Sequence, residues 1–545
     1  MHDEGNKTSM RQRKSGISPA EAQRPQRKFP FDPPLPKWER GGFSRRRVPG
    51  ARTNLATKPA EICAVLNPKI CPNLGVLRGE IIFILAATML VFVTGCLLGP
   101  DYKRPSIEIP PQFRAAMTPD AAASIADLKW FEVFKDEHLQ DLIRVALLQN
   151  YDLRDAVARV DAARGTLGIT RSNQFPNFGV GADATSRELS RQGEFTVPQG
   201  TSRQRTFGTV FLELFTFEID IWGRLRRATE SAQAQLLAED WNRKTVMTTL
   251  ISDVATAYFN LLELDMELAI ARNTLDTRDE SLRVLRIQLQ GGVGTLLDVR
   301  QGEQLVYTAG EVIPDDERQI EQTENRISLL LGKIPGPVAR GNLLTAQQTP
   351  PEVPAGLTSA LLERRPDIQE AEQTLIAANA NIGIAKAAYF PTITLTGEFG
   401  FQSTALGNLF SGSRRIWSFV PQLTQPIFTA GRLGSQVEQA EAQQRSALAQ
   451  YEKAIQTAFS DVSNALIQYQ KIREVRAQRE SLVMALQDRK RLAYMRFRGG
   501  VDTFLNALTA DTDLFSAELS LAQTRRDELL SLVQVYKALG GGWQE

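Results

Sequence analysis

Polar and apolar side chains alternate in four segments of the chain. The segments are 177–184, 206–219, 392–402 and 416–427. In 392–402, one face is apolar apart from a glycine, and the other carries mainly threonines and a glutamate. The alternation is less regular in the second and fourth segments, and Pro421 and Pro426 interrupt the fourth. Such alternation predicts membrane β-strands with one face toward lipid and one toward a lumen, although a half-buried hairpin has the same signature.

Two much longer segments contain neither glycine nor proline. They are 225–290 and 435–498, and they are rich in Ala, Gln, Glu, Arg and Leu. These residue types favour helix, and at 1.5 Å per residue each segment would extend about 100 Å. The apolar content is too thin for a wide globular core, so we predict closely packed, coiled-coil-like helices.

The chain contains an internal duplication. Residues 150–176 align without a gap with 365–391, at an offset of 215. Farther along, the offset becomes 208, and "GGVGTLL" (291–297) matches "GGVDTFL" (499–505). We therefore predict two homologous repeats, at 127–340 and 341–545, each with two strands and a set of long helices. Two copies of about 200 residues are not a solenoid, which needs more and shorter repeats.

Four strands are too few for a membrane barrel within one chain. Open strand edges cannot be satisfied in lipid, so a barrel must close on itself. About eight strands make the smallest barrel, and about twelve leave a lumen. We therefore expect the chain to associate, with two copies as the minimum and three copies for a pore.

An apolar run at 81–93 is followed at once by Thr94, Gly95 and Cys96. It is shorter than the roughly 20 residues that span a bilayer and suits the hydrophobic region of a signal peptide. The sequence "VTGC" resembles a bacterial lipobox, in which the cysteine thiol receives a diacylglyceryl group. We predict a lipoprotein signal at 76–95 and a lipidated, extended segment at 96–126 that begins at Cys96. A signal anchor, or a free cysteine in a buried segment, is the alternative.

Composition sets the start of the chain apart. Residues 1–78 hold 16 Lys and Arg against 6 Asp and Glu, with many prolines. Such a segment buries too little apolar surface to fold, so we expect 1–75 to be disordered or an over-extended start of the reading frame. A nucleic-acid-binding arm is the alternative, but nothing after it resembles a nucleic-acid module. The chain has 2 His and 3 Cys, without metal-ligand spacing, so we expect no metal site and no enzymatic activity.

Five stretches of the sequence are typical of one protein family: "GCLLGPDYKRP" (95–105), "WFEVFKDEHLQDLIRVALLQNYDL" (130–153), "ENRISLLLGKIPG" (324–336), "ERRPDIQEAEQTLIAANANIGIAKAAYFPTITL" (363–395) and "QPIFTAGRL" (425–433). From Cys96 to the C-terminus the chain resembles the TolC-like outer-membrane efflux proteins, specifically their lipoprotein branch. Lys129 departs from the family, in which a second Trp is common. The resemblance implies a membrane α+β fold: a homotrimer with a 12-stranded outer-membrane β-barrel, continued by long helices that form a periplasmic α-barrel.

The same resemblance implies a function and partners. The protein would be the passive exit duct of a tripartite efflux system, lipid-anchored in the bacterial outer membrane and extending into the periplasm. Its partners would be a periplasmic adaptor protein and an inner-membrane transporter of the resistance-nodulation-division type. No nucleic acid and no cofactor would take part, apart from the covalent lipid on Cys96: an S-diacylglycerol and an N-acyl chain, typically palmitate.

The glycine-containing motifs predict helix–turn–helix tips at the periplasmic end of the duct. In TolC-like proteins such tips contact the adaptor, which points to Val293, Gly294, Thr295, Val501, Asp502 and Thr503. Acidic residues just beyond the tips can ring the closed aperture in this family. The candidates here are Asp298, Asp511 and Asp513, although Thr509 stands where relatives often carry Asp. Pro314 should kink its helix rather than end it.

Other functions fit parts of the sequence. The same duct could serve type I protein secretion or metal efflux, and the sequence does not separate these cargoes from small molecules. A lipid-tethered coiled-coil spacer of the envelope would explain the lipobox and the long helices. It would not explain four alternating strands at duplicated positions.

Overall fold

The computed structural model describes residues 97–114, 124–190, 198–348, 353–356 and 358–543. Cys96, the apolar run and the basic head lie outside these residues. The first repeat contains α1 (Trp130–Val133), α2 (Glu137–Gln149), α3 (Tyr151–Ser172), β1 (Phe178–Glu188), β2 (Gln204–Ile219), α4 (Arg224–Gln290) and α5 (Leu296–Leu330). The second contains α6 (Thr358–Arg364), α7 (Pro366–Ala387), β3 (Thr392–Ser403), β4 (Arg415–Thr424), α8 (Arg432–Arg498) and α9 (Phe504–Ala538).

The helix lengths confirm the duplication. Helices α3 and α7 have 22 residues each, α4 and α8 have 67 each, and α5 and α9 have 35 each. The strands differ slightly from expectation. Strand β1 continues past the predicted 177–184 to Glu188, because its last residues pair with β2 although they do not alternate. Strand β4 ends at Thr424, before Pro426, whereas Pro421 stays within it.

The four strands form one antiparallel sheet in the order β1-β2-β3-β4. Strand β2 pairs with both β1 and β3, so the two repeats meet in the middle of the sheet. A register shift between Leu214 and Phe217 marks a bulge where β2 approaches α4. Within the described residues, β1 and β4 pair on one side only.

The long helices pack as two antiparallel hairpins, α4 with α5 and α8 with α9. Helix α4 also packs against α3, α7 and α9, and it therefore links the two repeats. The main hydrophobic core lies around Phe134, Tyr258 and Tyr536, where α4 and α9 meet the short helices. No helix in the described part of the chain is both long enough and apolar enough to cross a membrane.

Helix α5 continues through Pro314, as predicted, and buries a carboxylate two residues later. The Asp316 side chain is only 3% exposed, and its Oδ2 has no hydrogen-bond partner. It shares this interior with Glu263 and Glu267 of α4. Burial and the neighbouring Glu267 raise the pKa of Asp316 to about 6. Burial and Glu267 likewise raise the pKa of Glu263 to about 8, although the guanidinium of Arg526 on α9 lies 3.2 Å away.

These raised pKa values predict that stability falls as the pH rises. Between about pH 4 and pH 6, Asp316 is ionised in the unfolded chain but still protonated in the folded protein. The unfolded state therefore gains stability relative to the folded state as the pH rises through this range. We expect Asp316→Asn to raise the free energy of unfolding by about 1–3 kcal/mol at pH near 8 and to change it little near pH 4. Thermal unfolding followed by circular dichroism at both pH values measures this.

The neighbouring Asp315 supplies the control. It is exposed and pairs with Arg318 at 2.5 Å, and that hydrogen bond lowers its pKa. Asp315→Asn should therefore give no gain at high pH. If Asp316→Asn instead lost stability at both pH values, the side chain would have a structural partner that its geometry does not reveal.

Candidate functional site

The two faces of the sheet differ in chemistry. The register places one set of apolar side chains on a common face: Phe178, Val180, Val210, Leu212, Leu214, Ile393, Leu395, Phe399, Phe401, Trp417, Phe419 and Leu423. Most of these side chains are exposed or half-buried in the protomer. The other face is mainly polar. It carries Asp183, Thr185, Thr209, Glu213, Thr394, Thr396, Glu398 and Ser418, together with Phe207, Phe211, Ile416 and Val420. An apolar face beside a polar face fits lipid on one side and a lumen on the other.

The first tip joins α4 to α5 through a tight turn. Gly292 has φ +77°, the left-handed region that favours glycine. A Cβ on Gly294 would lie 3.0 Å from the Leu289 nitrogen, so the chain is closely folded there. Thr295 caps α5: its Oγ1 accepts from the Asp298 amide (3.1 Å), and its own amide donates to the Asp298 carboxylate (3.1 Å). This cap leaves Val293 84% exposed at the turn.

The second tip joins α8 to α9 with the same backbone and different polar contacts. Gly500 has φ +71°. Asp502 accepts hydrogen bonds from the Asn506 amide (2.6 Å), the Arg496 guanidinium (3.1 Å) and the Thr503 amide (2.8 Å), which lower its pKa. The Asp502 carboxylate binds the amide of the N-cap residue Thr503, as the Asp298 carboxylate binds the Thr295 amide in the first tip. The Thr503 side chain makes no capping hydrogen bond. Val501 is 67% exposed, so each tip presents a valine on an ordered turn.

The three aperture candidates lie in different surroundings. Asp298 belongs to the cap of α5. Asp513 is exposed and pairs with Arg489 of α8 at 2.7 Å. Asp511 is buried, with one oxygen 2.6 Å from Arg278 Nε and the other 2.6 Å from Lys490 Nζ. A role in the aperture stays a prediction for all three.

Arg278 makes the Asp511 site a junction of all four long helices. From α4 it binds Asp511 of α9, donates to the Leu305 carbonyl of α5 (2.8 Å) and lies over the Phe515 ring. Lys490 adds α8. Toward the tips an apolar cluster continues the junction: Leu282, Leu285, Val299, Leu305, Phe504 and Ala507. The sequence did not indicate Arg278 or Lys490, because nothing in the local pattern separates them from the many exposed basic residues of these helices.

Residues 97–114 form an extended segment, here called the strap, along α4 and α7. Its first residues are held through the backbone: Arg227 Nε donates to the Leu98 carbonyl (3.1 Å), and Asn379 Nδ2 donates to the Pro100 carbonyl (2.8 Å). Farther along, Glu372 accepts from the Tyr102 hydroxyl (3.1 Å) and pairs with Arg104 (2.8 Å). The strap therefore ties its own start to both repeats.

Glycines bring the strap into backbone contact with α7. Gly99 has φ +92°, and a Cβ there would lie 2.5 Å from the Gly383 Cα. Leu97 lies against Gly223, the residue between β2 and α4. The predicted lipidation site, Cys96, is outside the described residues. Leu97, the residue after Cys96, lies at the end of the sheet nearest the helices.

A sheet with an apolar outer face, joined to paired long helices that end in exposed tips, defines a channel-forming envelope protein. Among the described residues, no group of three His, Cys, Asp or Glu side chains is placed to hold a metal ion. The family model for outer membrane efflux proteins matches residues 142–333 and 357–541. The chain belongs to this family, and its predicted fold class and localisation in the bacterial outer membrane are confirmed.

Named relatives agree with this assignment. The toluene efflux pump outer membrane protein TtgC of Pseudomonas putida is 38% identical over 466 residues, which cover 85% of this chain and 95% of the relative. The cation efflux system protein CusC of Escherichia coli is 32% identical over 457 residues, covering 83% and 97%. The open state of the MtrE outer membrane channel of Neisseria gonorrhoeae superposes with a TM-score of 0.75 at 33% identity, covering 82% and 99%. The chain is therefore an outer-membrane efflux channel protein.

Proposed function

We propose that three copies of this chain form the passive exit duct of a tripartite efflux system. The observation that carries the proposal is the four-stranded sheet, which has one apolar face and joins both helical hairpins. In the described part of the chain, nothing pairs with its two outer edges. Three such sheets give twelve strands, enough for a closed barrel with a lumen. The protein is then not an enzyme, since solutes move through it passively and the energy comes from an inner-membrane partner.

The proposed cargo is small molecules of the solvent and drug class. TtgC is named for a toluene efflux pump, and it is more similar to this chain than CusC, which is named for cation efflux. The proposed partners are an adaptor protein in the periplasm and an inner-membrane transporter of the resistance-nodulation-division type. Identification of the transporter that co-purifies with the protein decides between small molecules and cations.

We further propose that Cys96 carries an S-diacylglycerol and an N-acyl chain. Two features support the lipid: the sequence "VTGC", and the strap that begins at Leu97 beside Gly223, next to the sheet. A lipid on the preceding residue would lie where the proposed barrel meets the membrane surface. The mass of the N-terminal peptide of the mature protein tests this assignment.

We expect charged tips to abolish export without preventing channel formation. In Val293→Asp with Val501→Asp, a carboxylate would be buried against the adaptor, which should weaken binding by on the order of 100-fold. Ile334→Asp is the matched control, because Ile334 is also an exposed aliphatic residue (90%) but lies in the loop after α5, at the opposite end of that helix.

The measurements are drug susceptibility of cells with the complete pump and conductance of the purified protein in planar bilayers. The tip variant should conduct and fail to export, and the control should do both. Full export by the tip variant would contradict docking at the tips. Absence of any conductance from the unaltered protein would contradict the exit duct itself.

A further inference from the structure

The sheet contains two pairs of like charges in direct register. Arg187 of β1 lies opposite Arg205 of β2, and Glu213 of β2 lies opposite Glu398 of β3. Side chains directly opposite each other in an antiparallel sheet are about 4.5–5.5 Å apart at Cβ, where like charges repel. Both pairs lie within one protomer, so their registers do not depend on how copies associate.

Both pairs are on the polar face of the sheet. The Arg187 guanidinium lies 5.7 Å from the centre of the Phe207 ring, two residues along β2 from Arg205. Glu213 is opposite Gly179 on its other side, and Glu398 is opposite Ser418, so neither has a basic neighbour in register. Within the part of the chain that the structure describes, Glu213, Glu398 and Arg205 form no ion pairs.

The two pairs lie at different depths. Arg187 and Arg205 adjoin the loop between β1 and β2, at the end of the sheet away from the helices. Glu213 is eight residues along β2 from Arg205, which is about 26 Å of strand. Asp183, opposite Thr209, adds a further carboxylate between the two pairs. Going outward, the polar face therefore changes from acidic to basic.

We infer that the lumen of the duct is divided into two charge zones, an acidic belt followed by a basic rim at the outer mouth. The inference rests on the proposed trimer, in which the two pairs would become a belt of Glu213 and Glu398 and a rim of Arg187 and Arg205. The belt attracts cationic solutes that arrive from the helical part. The rim raises the barrier that a cation crosses at the mouth in both directions, so the belt favours cations and the mouth favours anions.

Two oppositely charged zones in series also conduct ions asymmetrically. Cations enter readily through the acidic end and anions through the basic end. Under one polarity both accumulate between the zones, and under the other both are depleted. The effect needs weak screening, because the Debye length is about 30 Å at 0.01 M salt and about 3 Å at 1 M.

Conductance of the full-length protein in planar bilayers tests the inference. The variants are Arg187→Gln with Arg205→Gln, and Glu213→Gln with Glu398→Gln. Both remove repulsion. Glu→Gln keeps the side-chain size, and Arg→Gln shortens a side chain that is exposed at both positions, so neither variant should impair folding. The matched control is Arg415→Gln: Arg415 is at the same end of the sheet, but opposite Phe401 on the apolar face. The tips are identical in every variant, so any difference between variants arises in the sheet.

At about 0.01 M KCl we expect the unaltered protein to pass about twofold more current at one polarity than at the other. The arginine variant should lose this asymmetry and become more selective for K⁺, and the glutamate variant should become more selective for Cl⁻. At about 1 M KCl all forms should conduct alike. Arg415→Gln should behave as the unaltered protein.

An arginine variant with unchanged asymmetry and ion selectivity would overturn the zoned lumen. So would an Arg415→Gln effect of equal size, because the charge would then act from outside the lumen. Absence of current from the unaltered protein would overturn the exit duct and, with it, the two charge zones. This outcome is distinguishable from the others because no variant would conduct either.

Discussion

Asp511→Ala should weaken the packing between the two helical hairpins by about 3–5 kcal/mol, the cost of leaving a buried charge without its partner. The uncompensated group is Arg278, whose side chain is only 1% exposed. It would keep its bond to the Leu305 carbonyl but lose the carboxylate that neutralises it. We expect the tips of the hairpins to loosen, which proteolysis near 291–295 and 499–503 and a higher single-channel conductance would both report.

Asp513→Ala is the control for this prediction. The Asp513–Arg489 pair also joins α9 to α8, but it is exposed, and such pairs contribute less than about 1 kcal/mol. A second variant separates lost charge pairing from lost packing. In Arg278→Met with Asp511→Leu both buried charges go, and most of the stability should return, since the remaining Lys490 is partly exposed and can reach water. Equal effects of Asp511→Ala and Asp513→Ala would contradict the junction.

Gly99→Ala should release the start of the strap from α7. Gly99 has φ +92°, which costs a residue with a Cβ about 1–3 kcal/mol. The new methyl group would also lie 2.5 Å from the Gly383 Cα, a backbone atom that cannot rotate away. We expect a total loss of at least about 3 kcal/mol for strap docking and cleavage of 97–104 by proteases that spare the unaltered protein.

Gly200→Ala isolates the conformational part of that cost. Gly200 has φ +91°, almost the same as Gly99, but no atom lies within 4 Å of the position of its Cβ. Gly200→Ala should therefore lower the stability only by the cost of the backbone conformation, and the strap should stay resistant to proteases. If the two variants exposed the strap equally, close contact between the strap and α7 would not be what holds it.

Much of the fold is predictable from local sequence, because local rules decide these elements. The absence of Gly and Pro gives the extent of α4 and α8, and the GG motifs give the tips. The end of β1 was missed because its last residues, Thr185 to Glu188, are polar or charged on both faces. Pairing with β2 supplies what the alternation does not show.

The contacts that connect distant parts of the chain could not be predicted in this way. Asp511 is one of many acidic residues in a long helix, and only the packing of α4 and α8 beside α9 makes it buried. Glu372 is 268 residues from Arg104, and no local pattern links them. Family resemblance pointed to the neighbourhood of Asp511 but not to its partners.

The strap also makes the two repeats unequal. The repeat equivalents of Glu372, Asn379, Gly383 and Arg227 are Val157, Arg164, Gly168 and Ser435. Val157 lacks the carboxylate acceptor, Arg164 replaces the amide, and Ser435 lacks the guanidinium. Nothing lies within 4 Å of a Cβ on Gly168. The duplication thus provides two equivalent sets of positions, and only one set carries the side chains that hold the strap. In the proposed trimer, two repeats from each of three chains give six nearly equivalent backbone positions. Their side chains would alternate between two kinds. A partner that recognises these side chains would therefore encounter threefold rather than sixfold symmetry.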